Sequence, residues 1–303
     1  MEAARAAEGL RLAAPAKINL YLGVHTGRDG AGYHAVDTVM AALDLADEVL
    51  VEPAPALELV CEPLAGLPPE KNAAWRAASA LAQALGCEPA VRIHINKRIP
   101  VAAGLGGPST DAAAVLRGCC RLWGVAVADP RVVEVARGIG ADVPFFLGGS
   151  PAYLGGRGDV PQEEFTLEQA VPIALVKPPA ARVSTPAAYG EFDAHPVALP
   201  PLEPLLAALR AEGACAGTLA PLVANNLAPA ACALEPQVAD VLAWLRAQDG
   251  ALAADVCGSG ACSFAICESD AAAARVAAAA EARGWWACAT RVCATRARDQ
   301  DAA

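Results

Sequence analysis

Positive charge is in short supply: 23 Lys and Arg stand against 33 Asp and Glu, a formal net charge of −10. A surface evolved to hold nucleic acid or an anionic membrane carries the opposite excess. No nucleic-acid or membrane partner is therefore expected, and any phosphate site has to be local. An unbroken apolar run is missing too. The longest uncharged stretch, Gly213–Leu234, is interrupted by Gly217, Pro221, Asn225, Asn226 and Pro229 and makes a poor membrane span. The start, Met1–Leu12, carries Glu2, Arg5, Glu8 and Arg11 and has no apolar core of a secretory leader, so a cytoplasmic protein is the expectation. Among 11 cysteines there is no C-x-x-C pair, and His25, His34, His94 and His195 are scattered, so zinc-ligand spacing is absent and no metal ligands are named. Cys257, Cys262 and Cys267 recur every five residues, which fits no metal pattern. The cysteines read as reduced apolar filler. No long internal repeat occurs.

What is present is the composition of a globular chain: 303 residues, 55% hydrophobic and 18% charged. That length favours two domains with a cleft between them. Leu10–Val24 reads as a strand in which Lys17 and Asn19 are the polar members. A glycine-rich turn, Gly27–Gly32, leads through Tyr33-His34 to a second apolar segment toward Leu45, and Asp47–Leu59 reads as a further strand. Ala73–Leu85 is predicted as an amphipathic helix stopped by Gly86, and Ala90–Ile99 as an alternating strand. Helices follow at Ser109–Trp123 and Arg131–Gly138, then strands at Phe145–Leu147 and Ala152–Leu154. After the polar stretch Gly155–Glu168 comes the apolar strand Val171–Val176, and the domain boundary is placed there, giving domains 1–168 and 169–303. The second half reads as helices Leu202–Glu212 and Val238–Gln248, strands around Ala253–Cys267, a helix Ala271–Arg283 and a last strand Trp286–Cys293. That is an α+β pattern with helices over one antiparallel sheet.

The segment Lys97-Arg98-Ile99-Pro100-Val101-Ala102-Ala103-Gly104-Leu105-Gly106-Gly107-Pro108-Ser109-Thr110-Asp111 runs from a strand through a glycine-rich turn into a helix start. Such a loop can wrap a polyphosphate, because glycine lets backbone N–H groups approach the oxygens and the helix N-terminus adds partial positive charge. It is not a Walker A loop, since Gly-Lys-Ser/Thr is absent, and it only approximates a dinucleotide-binding fingerprint. Ser109, Thr110 and Asp111 suit a first helical turn on capping grounds, and equally suit hydroxyls turned toward phosphate or magnesium. Spacing leaves both readings open.

Three separated segments coincide with the pattern of the GHMP kinases. Pro15-Ala16-Lys17-Ile18-Asn19-Leu20 resembles their first motif, Pro100 through Thr110 their phosphate loop, and Cys257-Gly258-Ser259-Gly260-Ala261-Cys262 their third, glycine-rich motif. Gly27-Arg28 through Gly32-Tyr33-His34, and Gly140-Ala141-Asp142-Val143-Pro144-Phe145-Phe146, resemble the diphosphocytidyl-methylerythritol kinase branch in particular. The likeness extends from about Leu12 to Cys267. It departs from the pattern at Ala31, Pro108, Asn226 and Cys257.

The resemblance implies a two-domain GHMP kinase fold, an N-terminal domain like domain 2 of ribosomal protein S5 and a ferredoxin-like C-terminal domain, with the active site in the cleft between. It implies phosphorylation by ATP, with Mg2+ held mainly through phosphate oxygens, of the 2-hydroxyl of a cytidine diphosphate derivative in the methylerythritol phosphate route to isoprenoids. Lys17 and Asp142 match the catalytic pair, Asp142 as the base and Lys17 as its electrostatic partner, an assignment that suits a reaction made mostly of positioning and charge stabilisation. ATP binding falls to Pro100, Val101, Ala102, Ala103, Gly104, Leu105, Gly106, Gly107, Pro108, Ser109, Thr110 and, outside the loop, Asn72. Asn19, Tyr33, His34, Thr185 and Tyr189 match the substrate pocket, where aromatic faces stack on a pyrimidine and a histidine reads its edge. Gly258, Ser259 and Gly260 complete the third motif. A monomer or weak homodimer is expected. Another GHMP kinase, acting on homoserine or a mevalonate derivative, or a catalytically silent nucleotide-binding relative, stands as the alternative.

Overall fold

The computed structural model describes residues 9–63 and 68–293. The expectation about a leader in Met1–Leu12 thus falls largely outside the described residues.

Two long antiparallel strands, β1 (Leu10–Arg28) and β2 (His34–Pro53), form the central ribbon. β1 is buried without a break from Ala14 to Val24, which a strand can be only when both of its faces are covered. Its register against β2 shifts at Pro15/Lys17, at Asn19/Tyr21 and at Val24/Arg28. Each irregularity bends the strand and re-aims its side chains, and the first two bracket Lys17 and Asn19.

β3 (Glu58–Glu62) runs parallel to β4 (Val91–Asn96), which pairs antiparallel with β2. In β4 the residues Val91, Ile93 and Ile95 are buried while Arg92, His94 and Asn96 are not, the alternation of a half-buried strand. Helices α1 (Ala73–Leu85) and α2 (Gly107–Trp123) bury Ala74, Ala78, Leu81, Ala113 and Leu116 against this sheet, and small residues let them approach closely. Asn72 caps α1 by accepting the Ala74 N–H at 2.9 Å, and Gly86 and Gly124 end the two helices in the left-handed conformation that favours glycine. Helix α3 (Pro130–Ile139) leads into α4 (Val143–Leu147), then β5 (Ala152–Gly155) and β6 (Val160–Glu164) return to the edge of β2.

The strands from β7 (Val171–Lys177) onward form a second antiparallel sheet with β9 (Ala251–Val256), β10 (Ser263–Cys267) and β11 (Trp286–Val292), in the order β11-β7-β10-β9. It joins the first sheet through the pair Val292 and Leu43. Period-two alternation splits its side chains. Ile173, Leu175, Phe264 and Ile266 face a core shared with Ile18, Leu20 and Leu43 of the ribbon, while Ala174, Val176, Ala265 and Cys267 face a third core. Between β7 and β9 lie helices α5 (Thr185–Ala194), α6 (Glu203–Arg210), α7 (Ala216–Leu219), α8 (Ala228–Leu234) and α9 (Pro236–Arg246), with the two-residue β8 (Ala224–Asn225) pairing parallel to β1. Helix α10 (Asp270–Glu281) follows β10. The mixed helix and sheet content in two lobes matches the expected α+β class.

Several expectations are corrected. Phe145–Leu147 is helical, not a strand: a short apolar run fits either state, and Pro144 sits in the first turn, where its missing N–H costs nothing. Asp47–Leu59 is not one strand, because Asp47–Pro53 continue β2 and the chain turns before β3. The polar stretch after Gly155 contains β6, whose residues are mostly exposed and so lack an apolar signal. Helices α5, α7 and α8, short and interrupted by Pro and Gly, were not anticipated.

Candidate active site

A cleft of about 710 Å³ opens where the ribbon, the glycine-rich loop and the β9–β10 connection meet. Lys17 and Asn19, two apart on β1, share a face. The Lys17 ammonium is almost fully buried, donates to Asn19 Oδ1 at 2.8 Å and lies 3.5 Å from Asp142 Oδ2. Asn19 in turn donates to Thr38 Oγ1 (2.8 Å), which donates to the Tyr21 carbonyl (2.8 Å). A flexible lysine is thereby held in one orientation. Asp142 immediately precedes α4 and keeps a third of its side chain exposed, so its carboxylate is open to the cleft while the ammonium behind it is not.

The loop between β4 and α2 is shaped by close backbone contacts. Gly104 (φ 73°) lies so near the β9–β10 connection that a Cβ there would come 1.9 Å from the Cys257 carbonyl oxygen. Gly106 (φ 75°) packs against Lys17, with a Cβ position 3.0 Å from Lys17 Cγ. Ala102 takes a positive φ of 51°, an uncommon state for a residue with a side chain and a sign of local strain held by surroundings. Those surroundings are visible: Ala261 N–H donates to the Ala102 carbonyl (3.3 Å), Cys262 N–H to Ala103 (3.2 Å) and Lys17 N–H to Leu105 (3.0 Å). The third motif and the first strand thus clamp the loop. Pro108 occupies a first-turn position of α2, where an N–H would have no helical partner.

Of the residues singled out from sequence, Lys17, Asn19, Asn72, Pro100 to Ser109, Asp142, Thr185, Tyr189, Gly258 and Ser259 line this one cleft. Thr185 and Ser259 bond through their hydroxyls at 2.9 Å, joining α5 to the third motif. Thr110, Gly260, Tyr33 and His34 do not line it. Thr110 is fully buried, and Gly260 faces Val183, Ala231 and Val256. Tyr33 is 56% exposed, its ring covered by the Arg157 guanidinium at 4.0 Å. His34 is buried beneath Tyr189 (ring centroids 5.5 Å, stacked) and Phe192 (5.9 Å, edge-on). Its Nδ1 donates to the His25 carbonyl at 2.7 Å, which leaves Nε2 on the side of Asp193, 3.0 Å away. Burial, and secondly the charge of Asp142, push the Tyr189 phenol up to about 12, so it stays neutral.

Other contributors were not anticipated. Arg157 reaches Tyr33 from the β5–β6 turn and is anchored by Asp29 Oδ2 at 2.7 Å. Asp193 holds Arg28 as well as facing His34. Neither residue sits in a recognisable motif; topology alone brings them there. Asn225 donates to the carbonyls of Val256 (3.0 Å) and Gly258 (2.8 Å), fixing the third motif from below. Asn226, a departure from the expected pattern, uses an amide's two functions on β1: it accepts the Val24 N–H (2.8 Å) and donates to the Val24 carbonyl (2.9 Å). Burial, then a hydrogen bond to Cys262, pushes the Cys257 thiol well above its ordinary value, which makes it inert filler.

Residues 72–150 match the family described as "GHMP kinases N terminal domain", and residues 205–284 the family described as "GHMP kinases C terminal". A "4-diphosphocytidyl-2-C-methyl-D-erythritol kinase" of Rhizorhabdus wittichii is 39% identical over 281 residues, spanning 89% of this chain and 90% of the relative. One of the same name from Streptomyces coelicolor is 43% identical over 256 residues, spanning 81% and 83%. The crystal structure of a 4-(cytidine 5'-diphospho)-2C-methyl-D-erythritol kinase superposes with a TM-score of 0.77 at 36% identity, covering 93% of this chain and 98% of that one. Homoserine kinase from Cytophaga hutchinsonii superposes at 0.70 with 20% identity over 94% and 95%, a likeness of fold alone.

Proposed function

The chain belongs to the GHMP kinases, and from that premise we propose that it transfers the γ-phosphoryl group of ATP to the 2-hydroxyl of 4-diphosphocytidyl-2-C-methyl-D-erythritol, a step toward isoprenoid precursors. The relatives that carry this name are about as long as this chain and similar along most of it. The observation that carries the mechanism is the meeting of Lys17 and Asp142, far apart in sequence, beside a loop whose glycines press against the third motif.

Phosphoryl transfer asks a protein mainly for positioning and charge stabilisation. The loop Pro100–Ser109 supplies backbone N–H groups to the polyphosphate, and Asn72, which lines the same cleft, contacts the nucleotide in this reading. Asp142 accepts the proton of the attacking hydroxyl, and Lys17, held by Asn19, neutralises charge shared between that carboxylate and the phosphoryl oxygens. The Ser109 hydroxyl in the cleft is a hard oxygen of the kind Mg2+ accepts, and it would supplement the phosphate oxygens of ATP, which would hold the ion in the main. The ion, carried on ATP, supplies charge neutralisation at the transferred group. Tyr189 presents an aromatic face in the cleft for the cytosine, and Thr185 and Asn19 contact the remainder of the substrate. Tyr33 and His34 stand beside the cleft, and for them to stack on the base and read its edge the Arg157 guanidinium and the Asp193 carboxylate have to give way. In this reading 1–168 is the nucleotide-binding lobe and 169–303 the second lobe. The chain works in the cytoplasm as a monomer or weak homodimer.

The test is ADP release by the purified chain. It is expected with the cytidyl substrate and to stay at background with homoserine or mevalonate; equal turnover of those would reject the substrate assignment. Asp142→Asn is expected to lower kcat by about 10²- to 10⁴-fold, the usual worth of a positioned base, while nucleotide still binds. Retained kcat would dismiss Asp142 as the base.

A further inference from the structure

Beneath the loop lies a cluster of charged side chains that the reaction itself does not use. Asp47 of β2 is wholly buried, and its Oδ1 accepts the N–H groups of Arg98 (2.5 Å) and Ile99 (2.8 Å), the last two residues before Pro100. Its Oδ2 accepts from the Lys97 ammonium. Lys97 also donates, at 2.6 Å, to Oδ2 of Asp111, which is buried in the second turn of α2. One ammonium thus ties the segment entering the loop to the helix leaving it, with Asp47 anchoring both to the central ribbon.

We propose that Asp47, Lys97 and Asp111 form a strut that fixes the separation of the two stems of the loop, and that Asp111 is a positioning residue for ATP acting through Lys97. The inference rests on the ATP-dependent reading of the site. The third motif and β1 clamp the loop at Ala102, Ala103 and Leu105, in the part that holds the strained Ala102, and the strut adds what that clamp does not reach: the spacing of the two stems. A loop gripping phosphate through backbone N–H groups tolerates little change in their spacing.

The strut is also unequally satisfied. Asp47 receives three donors, whereas Asp111 receives one, and its Oδ1 has no hydrogen-bond partner although it is buried. Two carboxylates facing one ammonium leave a surplus negative charge in a site that borders the cleft. Burial pushes the Asp111 carboxyl up to about 7, with Lys97 opposing and Asp47 adding to the rise. Cys61 of β3 also faces the cluster, and burial raises its thiol so that it stays protonated. Above neutral pH the cluster therefore gains a charge that repels polyphosphate; below it, Asp111 is neutral and the strut persists.

Steady-state kinetics on the full chain, with ADP affinity measured directly by calorimetry, test this. Asp111→Ala removes a hydrogen bond to a charged group and is expected to raise KM for ATP and weaken ADP binding about tenfold or more, while KM for the cytidyl substrate stays unchanged. Asp111→Asn keeps an oxygen for Lys97 and is expected to restore both values near pH 6. The parent's KM for ATP is expected to rise as pH passes about 7, and Asp111→Asn to abolish that rise. An equal rise in both KM values, no change in Asp111→Ala, or an Asn variant that neither rescues nor flattens the profile would overturn the proposal. Should Asp111→Ala not fold, the profile of the Asn variant decides. A parent that binds ADP but turns over no cytidyl substrate would overturn the functional reading, while the ADP affinities still judge the strut.

Discussion

At the scale of single residues, the closest approach in the site is the sharpest test of how the loop is built. Gly104→Ala would drive a methyl group into the Cys257 carbonyl and force a side chain into a left-handed backbone. Both the loop and the third motif would have to shift. Expected are a near-complete loss of kcat/KM and a stability decrease of about 1–3 kcal/mol, the range for a strained backbone state, read by thermal unfolding beside activity. A variant with parental kinetics would mean that the clamp between loop and third motif is not needed. Residue identity alone drew attention to Lys17 and Asn19, because polar residues on an apolar strand ask for a reason, whereas Asp142 stood out only through the resemblance. Residue identity gave no sign of Asp193 or Arg157, which carry no motif and act through partners distant in sequence.

Among the elements, helix starts separate stability from function. Ser269 caps α10 by accepting the Ala272 N–H at 3.2 Å, remote from the cleft; Asn72 caps α1 in the same way and lines the cleft. Each replacement by Ala is expected to cost about 1 kcal/mol, the usual worth of such a cap. Only Asn72→Ala should also raise KM for ATP. Chemical denaturation paired with kinetics checks it, and an equal kinetic effect of both would dismiss Asn72 as a nucleotide contact. The long elements were legible because their signals were redundant: α1 carries its periodicity, its cap and its terminal glycine together. Short elements were not. In α4 five buried apolar residues fit strand or helix equally, and only packing against α2 and α3 decides.

Across the whole molecule, buried acids make stability depend on pH in a known direction. Burial raises the Asp255 carboxyl to about 6, against the opposing Val256 N–H and the Arg246 charge, and raises Asp111 to about 7. Such acids bind protons more tightly folded than unfolded, so their contribution is complete below the ordinary carboxylate range and is lost as pH rises through 6 to 7. Asp255→Asn keeps an oxygen for the Val256 N–H and removes the ionisation. Its melting temperature is expected to match the parent near pH 4 and exceed it above about pH 7; a constant offset across that range would refute the assignment. Among the described residues no helix is long and apolar enough to cross a membrane.

Composition, period and motif spacing by themselves determined the α+β class, the long helices and strands and the glycine-rich turn into a helix start. These are properties of neighbouring residues and of glycines whose backbone freedom is written in their identity. The roles of that loop and of Lys17 and Asp142 entered only with the resemblance to the GHMP kinases. Only the tertiary structure decided that β2 runs unbroken past Asp47, that Phe145–Leu147 coils instead of extending, and that Asp47, Lys97 and Asp111 converge beneath the loop. The physical reason is the same in each case. Burial and charge pairing depend on which distant segment lies across the gap, and a one-dimensional pattern carries the preference of a residue but not the identity of its neighbour.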